Sequence, residues 1–111
     1  MENVEVVTVL TPRGNVARMA VRPGTSDLSV VGATMTGVAG SGATDEYRLA
    51  GLSVEGRFVD VGAHVGAVTV AVLLDNPGAL AVCVEPVPEN VAVLRQNLAL
   101  NGLEGLSLIH I

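Results

Sequence analysis

The feature that most constrains this chain is the stretch from Arg57 to Gly102, where short apolar runs alternate with longer ones. Phe58-Val59-Asp60-Val61 reads as a strand ending at Gly62, and Ala79 to Val84 as a second, bounded by Pro77-Gly78 and Glu85-Pro86. Between them lies Val65 to Leu74, whose β-branched residues favour a strand by propensity. The connection argues against that. Two buried strands about twenty residues apart suit a β-α-β crossover, with the loop from Gly62 to Gly66 turning into a helix. Beyond the second strand, Val87, Val91, Leu94 and Leu98 recur at helical spacing, and Arg95, Gln96 and Asn97 lie off that stripe. Pro88 suits the first turn of this helix and Gly102 its stop. Residues 57–102 therefore read as strand–helix–strand–helix, the first half of a doubly wound sheet.

Upstream the texture changes. Val4 to Leu10 and Val16 to Arg22 are β-rich and flank Pro12-Arg13-Gly14-Asn15, which predicts a hairpin. Pro23-Gly24-Thr25-Ser26-Asp27 is a turn whose Ser26 or Asp27 can cap a short helix over Leu28 to Met35. Gly37 to Gly42 reads as a loop. The expected organisation is a β-rich lead-in over 1–42, the start of an α/β domain over 43–105, and a separate tail over 106–111.

Composition removes several classes of function. A chain of 111 residues has room for one core, and with half its residues apolar and a mean hydropathy of +0.55 it is expected to pack one. The net charge is −5 and the six basic residues are all isolated arginines, so no basic stripe exists to neutralise phosphates. Tyr47 and Phe58 alone could stack on bases. Nucleic acid is thus not expected as a partner. The longest apolar run, Ala67 to Leu74, is interrupted by Thr69 and stops at Asp75, too short to span a bilayer. The acidic start, Met1-Glu2-Asn3-Val4-Glu5, is unlike a signal peptide, and the single cysteine, Cys83, has no internal partner. Both favour a cytoplasmic protein without a membrane partner.

The chemistry concentrates in Asp60-Val61-Gly62-Ala63-His64-Val65-Gly66, at a strand end and opening a helix. Small residues there let backbone amides approach a nucleotide-like ligand. Glu85, nineteen residues after Gly66, ends the next strand, where a carboxylate can accept bonds from ribose hydroxyls. Dinucleotide-binding and S-adenosylmethionine-binding folds share that plan. A dinucleotide loop is G-x-G-x-x-G/A, because its pyrophosphate rests on the helix N-terminus. Here the spacing is Gly62-x-x-x-Gly66, and Asp60 precedes it. A carboxylate is awkward beside a pyrophosphate and useful beside the ammonium of a methionine moiety, so the loop favours the sulfonium cofactor. An NAD-binding oxidoreductase and a non-catalytic nucleotide-binding module remain the alternatives.

The runs Phe58 to Thr69, Val84-Glu85-Pro86-Val87-Pro88-Glu89-Asn90 and Asn97 to Gly102, with Arg22 to Asp27 and Asp45-Glu46-Tyr47 upstream, resemble the FkbM-type methyltransferase family over roughly Arg22 to Leu103. The resemblance implies a Rossmann-like doubly wound methyltransferase fold, truncated after the first β-α-β-α and preceded by a β-hairpin-rich N-terminal segment. It implies S-adenosyl-L-methionine as cofactor and a small-molecule or glycan-like hydroxyl as acceptor. It places Asp60, Gly62, Ala63 and Gly66 at the methionine end, with His64 as a further lining residue where Asn is frequent. Glu85 would hold the ribose, with Pro86 near the adenine. No catalytic base or metal site follows from it, and the later strands that carry substrate contacts are absent.

Each of these residues has a plainer alternative. Glu85 could be a solvated strand-end carboxylate, Asp60 an acceptor for loop amides, and His64 a loop imidazole that meets water or a carbonyl. Thr25, Asp27, Glu46 and Tyr47 either face the cleft or serve as caps and core contacts, and Cys83 is expected to pack. The last six residues, Leu106-Ser107-Leu108-Ile109-His110-Ile111, can be encoded by CTG-TCT-CTT-ATA-CAC-ATC, which resembles a transposon end ligated to sequencing fragments. They are expected to be adapter-derived and to lack tertiary support; a genuine third strand is the other reading.

Overall fold

The computed structural model describes residues 3–38, 40 and 44–111. The hairpin forms as its sequence suggests: β1 (Glu5–Leu10) and β2 (Val16–Val21) pair antiparallel, with Val7 opposite Met19. A helix α1 (Asp27–Thr34) follows. Then β3 (Gly56–Val61), α2 (Ala67–Asp75), β4 (Ala79–Val84), α3 (Pro88–Leu100) and β5 (Ser107–His110) complete an α/β unit whose three strands are parallel in the order β3-β4-β5. The expected Gly37 to Gly42 loop lies partly outside the described residues.

Two expectations need correction. The chain does not end its regular structure with α3. Ser107–His110 pair in register with Ala81–Val84 of β4, so the last residues form a third parallel strand rather than an unsupported tail. Leu103 and Ile109 also join the main hydrophobic cluster. The second correction concerns α3: Asn97, read as an outward residue, is fully buried. The rest of the predicted stripe holds, with Val91, Leu94 and Leu98 inside and Arg95 exposed, while Val87 stays 42% exposed at the helix entry.

The burial of α2 explains why its sequence carries no amphipathic stripe. Ala67, Thr69, Val70, Ala71, Val72 and Leu73 are all buried, and a helix apolar all round must be covered all round. β4 packs on one side of it, and β2 and α1 also pack against it. Hairpin residues Val9, Ala17, Met19, Ala20 and Val21 share one hydrophobic cluster with α2, α3, β4 and Leu103. The lead-in is therefore an outer layer over the helices, within the same core. The opposite face of the parallel sheet is open: Val59 and Val61 of β3, Leu80 of β4 and Leu108 of β5 are exposed.

Side-chain amides fix the hairpin in place. Alternate residues of a strand point their amide and carbonyl away from the paired neighbour, leaving an edge that must find partners. On β2 these residues are Arg18 and Ala20. Asn97 accepts from the Ala20 amide at 2.5 Å, donates to the Ala20 carbonyl at 3.1 Å and to the Val65 carbonyl at 2.8 Å. One turn on, Asn101 repeats the pattern on Arg18 at 3.0 and 2.8 Å. Four residues of helix advance about 6.0 Å and two residues of strand about 6.8 Å, so an i, i+4 pair of asparagines matches a strand's outward groups. At the turn end, Thr11 and Asn15 donate to the Asp75 carboxylate, and Arg13 reaches the carbonyls of Ala50, Leu52 and Asp75.

Asn97→Ala strands a buried amide and two carbonyls, and each lost bond of this kind costs roughly 1–3 kcal/mol. We expect Asn97→Ala to lower unfolding free energy by about 3–5 kcal/mol, and Asn101→Ala, on the exposed edge, by about 1 kcal/mol. Urea titrations followed by circular dichroism give both values. Equal losses would show that the Asn97 amide does not anchor the layer.

Candidate functional site

A cleft of about 680 Å³ opens at the carboxyl end of β3. Its walls are α1, the turn carrying Glu46 and Tyr47, the β3–α2 loop, and the first turn of α2. Asp60, Gly62, Ala63 and His64 line it. Of the other expected residues, Gly66 is buried beneath α3, Glu85 is buried at the end of β4, and Pro86 is exposed beyond it; none of the three lines this cleft.

The loop is built on the end of β4. The amides of Gly62 and Ala63 both donate to the Val84 carbonyl, at 2.8 and 3.0 Å. Gly62 has φ +73°, and a β-carbon there would meet nothing within 4 Å. Gly66 differs. Its φ is +90°, and a β-carbon would sit 2.5 Å from Leu94 Cδ1, so this glycine serves the contact between the loop and α3. His64 also adopts a left-handed conformation, φ +55°, a region uncommon for residues other than glycine.

Glu85 supplies the restraint that holds His64 there. Only 4% exposed, its carboxylate accepts from the His64 amide at 2.8 Å, the Val87 amide at 3.0 Å and the Asn90 side chain at 3.2 Å. Burial alone would raise the Glu85 pKa; the Val87, His64 and Asn90 bonds together outweigh it and hold the group below its ordinary value of 4.5. It is not a solvated strand-end acid. These contacts belong to a closed circuit of five residues, which passes through His64 by its backbone amide and its ring. Asn90 accepts from Arg22 at 2.8 Å, Arg22 donates to Asp27 at 2.7 and 2.9 Å, and Asp27 Oδ1 lies 3.4 Å from His64 Nε2. The circuit thus joins the end of β2, the start of α1, the β3–α2 loop, the end of β4 and the first turn of α3.

Asp27 is fully buried, and burial acts to raise its pKa, but the bonds from the Arg22 side chain and amide outweigh that and keep it below 3.8. It is therefore neither a helix cap nor a cleft surface. Thr25 takes the local role, accepting from the Asp27 amide at 3.2 Å, and Ser26 makes no side-chain cap bond. Asp60 behaves oppositely. Burial raises its pKa, the Thr69 hydroxyl bond at 2.6 Å offsets that in part, and the Glu85 charge adds to the rise. Thr69 gives its proton to Asp60, so the Cys83 thiol 3.3 Å away is the donor to Thr69. Burial pushes the Cys83 thiol up, as suits a packing residue.

Glu46 and Tyr47 do line the cleft, and Tyr47 is 64% exposed rather than a core contact. Sequence reasoning missed Thr34 and Thr69. Thr34 is 1% exposed, lines the cleft, and its hydroxyl has no partner; His64 Nδ1 is likewise buried and unpartnered. A hydroxyl inside the otherwise apolar run of α2 was the available signal for Thr69. No family model matches the chain, and no curated protein matches it significantly.

Two outcomes test this geometry. Gly66→Ala should destabilise the fold by roughly 2–4 kcal/mol through overlap with Leu94 added to left-handed strain, whereas Gly62→Ala should cost only the strain, about 1–2 kcal/mol. Thermal unfolding of both variants ranks them. The acids predict the pH dependence. Glu85 and Asp27 are depressed, so their stabilisation is complete above their ordinary values of 4.5 and 3.8 and is lost as pH falls through their lower folded values. Glu85→Gln should flatten the loss of unfolding free energy between about pH 5 and 2. An unchanged slope would assign that loss elsewhere.

Proposed function

We propose that this chain carries the S-adenosyl-L-methionine-binding half of a Rossmann-like methyltransferase, whose acceptor is a hydroxyl of a small or glycan-like molecule. The observation that carries the reading is the charge of the cleft. Asp60 and Glu46 line it and no arginine does. Such a surface repels a pyrophosphate and attracts the sulfonium and ammonium of S-adenosylmethionine. This separates the reading from a dinucleotide oxidoreductase, which shares the strand order.

The remaining features fit the same ligand. Strands β3, β4 and β5 lie adjacent and parallel with the cleft at the carboxyl end of β3, where open α/β sheets take their ligands. The open space at Gly62 accepts a close ligand. Glu85 is buried behind the cleft and already accepts three bonds, so a ribose hydroxyl reaches it only if the β4–α3 turn opens. Asp60, whose ionised form is penalised by burial, gains when a cation arrives beside it.

Bound S-adenosylmethionine supplies an electrophilic methyl group. The chain's own task is to bind it and hold the acceptor in line, which accounts for much of the acceleration in such displacements. Calorimetric titration of the chain with S-adenosylhomocysteine and with NADH tests the assignment: the first should bind and the second should not. Binding of NADH, or of neither, overturns it. Asp60→Asn should weaken S-adenosylmethionine about tenfold, near 1.4 kcal/mol, while leaving the melting temperature equal or higher because the penalised charge is gone. A lower melting temperature with unchanged affinity would make Asp60 structural.

A further inference from the structure

Within the five-residue circuit the Nδ1 atom of His64 is buried without a hydrogen-bond partner. We propose that His64 is the proton acceptor for the ligand hydroxyl, with Asp27 as the positioning residue that fixes its tautomer; this rests on the methyltransferase reading above. Asp27 is buried, accepts three bonds from Arg22 and is held ionised, so it has no proton to share. The 3.4 Å approach of His64 Nε2 to Asp27 Oδ1 therefore places the ring proton on Nε2. In the neutral ring Nδ1 is then a bare acceptor. It has no partner, although His64 lines the cleft with 24% of its side-chain surface open.

Three observations converge on this atom. The imidazole is oriented by a carboxylate behind it, the arrangement that recurs wherever a histidine serves as a base. Its backbone is held in a left-handed conformation by the Glu85 bond to its amide, and strain of this kind gathers at functional sites. The Thr34 hydroxyl, in the same cleft wall, is the other buried side-chain polar atom without a partner among the described residues. A hydroxyl is the group that suits either atom, since it can donate to His64 Nδ1 and can accept from Thr34 Oγ1. An ionised carboxylate, having no proton to donate, leaves Nδ1 unsatisfied. The long approach to Asp27 is the kind that tightens when ligand closes a site.

The step balances without a further reagent. The acceptor oxygen forms a bond to the methyl carbon, the carbon–sulfur bond breaks with its pair left on sulfur, and the hydroxyl proton passes to His64 Nδ1. The products are a methyl ether, S-adenosylhomocysteine and an imidazolium facing the Asp27 carboxylate.

Nitrogen-15 spectra of the chain at neutral pH decide the tautomer, with His110→Gln used to assign the two histidines. The expected result is a protonated Nε2 and a bare, pyridine-type Nδ1 on His64, and loss of that preference in Asp27→Asn. Titration with methyl glucoside in the presence of S-adenosylhomocysteine should then shift the His64 Nδ1 signal. A proton on Nδ1, or an Nδ1 signal unmoved by glucoside, overturns the proposal. If Asp27→Asn does not fold, the native tautomer and the glucoside shift decide alone. If S-adenosylhomocysteine fails to bind while the tautomer is as stated, the cofactor reading falls and the oriented base stands.

Discussion

The docking of the hairpin by two asparagine amides is the constraint on which this fold depends. A two-stranded ribbon is not stable alone, and its free edge is a hazard. Here Asn97 and Asn101 act as a surrogate strand, giving Ala20 and Arg18 the donor and acceptor that a neighbouring chain would otherwise supply. With the ribbon held, Met19 and Val21 cover helices whose other side rests on the parallel sheet. That is what permits α2 to be apolar on every face. Removing the ribbon would uncover the parts of α2 and α3 that β2 packs against, so the hydrogen bonds of two side chains support an area of apolar contact far larger than themselves.

The circuit through Asp27, Arg22, Asn90, Glu85 and His64 does the corresponding work at the cleft. It is also where features that cost stability gather. Glu85 holds His64 in an unfavourable backbone state and spends three of its lone pairs inside the protein. Asp60 keeps a penalised charge at the cleft, and two buried polar atoms lack partners. A sequence selected for stability alone would remove such features. Their concentration in one place, beside a loop of left-handed residues, is the physical argument that the place is functional.

What was legible in the sequence follows from what kind of signal carries each element. The hairpin declared itself through Pro12-Arg13-Gly14-Asn15 between β-rich runs, and β4 through its flanking Pro77-Gly78 and Glu85-Pro86. Helix α2 was recoverable only from connection length, because burial on all sides erases the 3.6-residue period. Asn97 was misread for a related reason. Polarity normally marks the solvent side of a helix, and nothing local distinguishes an asparagine that faces water from one that faces a strand edge 77 positions away. Gly66 looked like Gly62 in the sequence, yet one meets Leu94 and the other meets open space. The third strand was offered by the apolar Leu106-Ser107-Leu108-Ile109 and set aside because its possible coding sequence resembles a transposon end, a property unrelated to how the residues pack.

The two arrangements are not independent. The cleft lies between α1, which is tied to the end of β2 through Arg22 and Asp27, and the β3–α2 loop, which is tied to the end of β4 through Glu85 and Val84. One wall therefore belongs to the hairpin layer and the other to the parallel sheet. Asn97 bonds both layers at once, through Ala20 on β2 and Val65 on the loop, from a single side-chain amide. The separation of the cleft walls is set by that amide and by the helices it rides on. A change in hairpin docking would move Asp27 and the α1 wall of the cleft relative to His64. The position of the oriented imidazole is in this sense a property of the whole three-layer packing, and the loop sequence from Asp60 to Gly66 supplies only its last part.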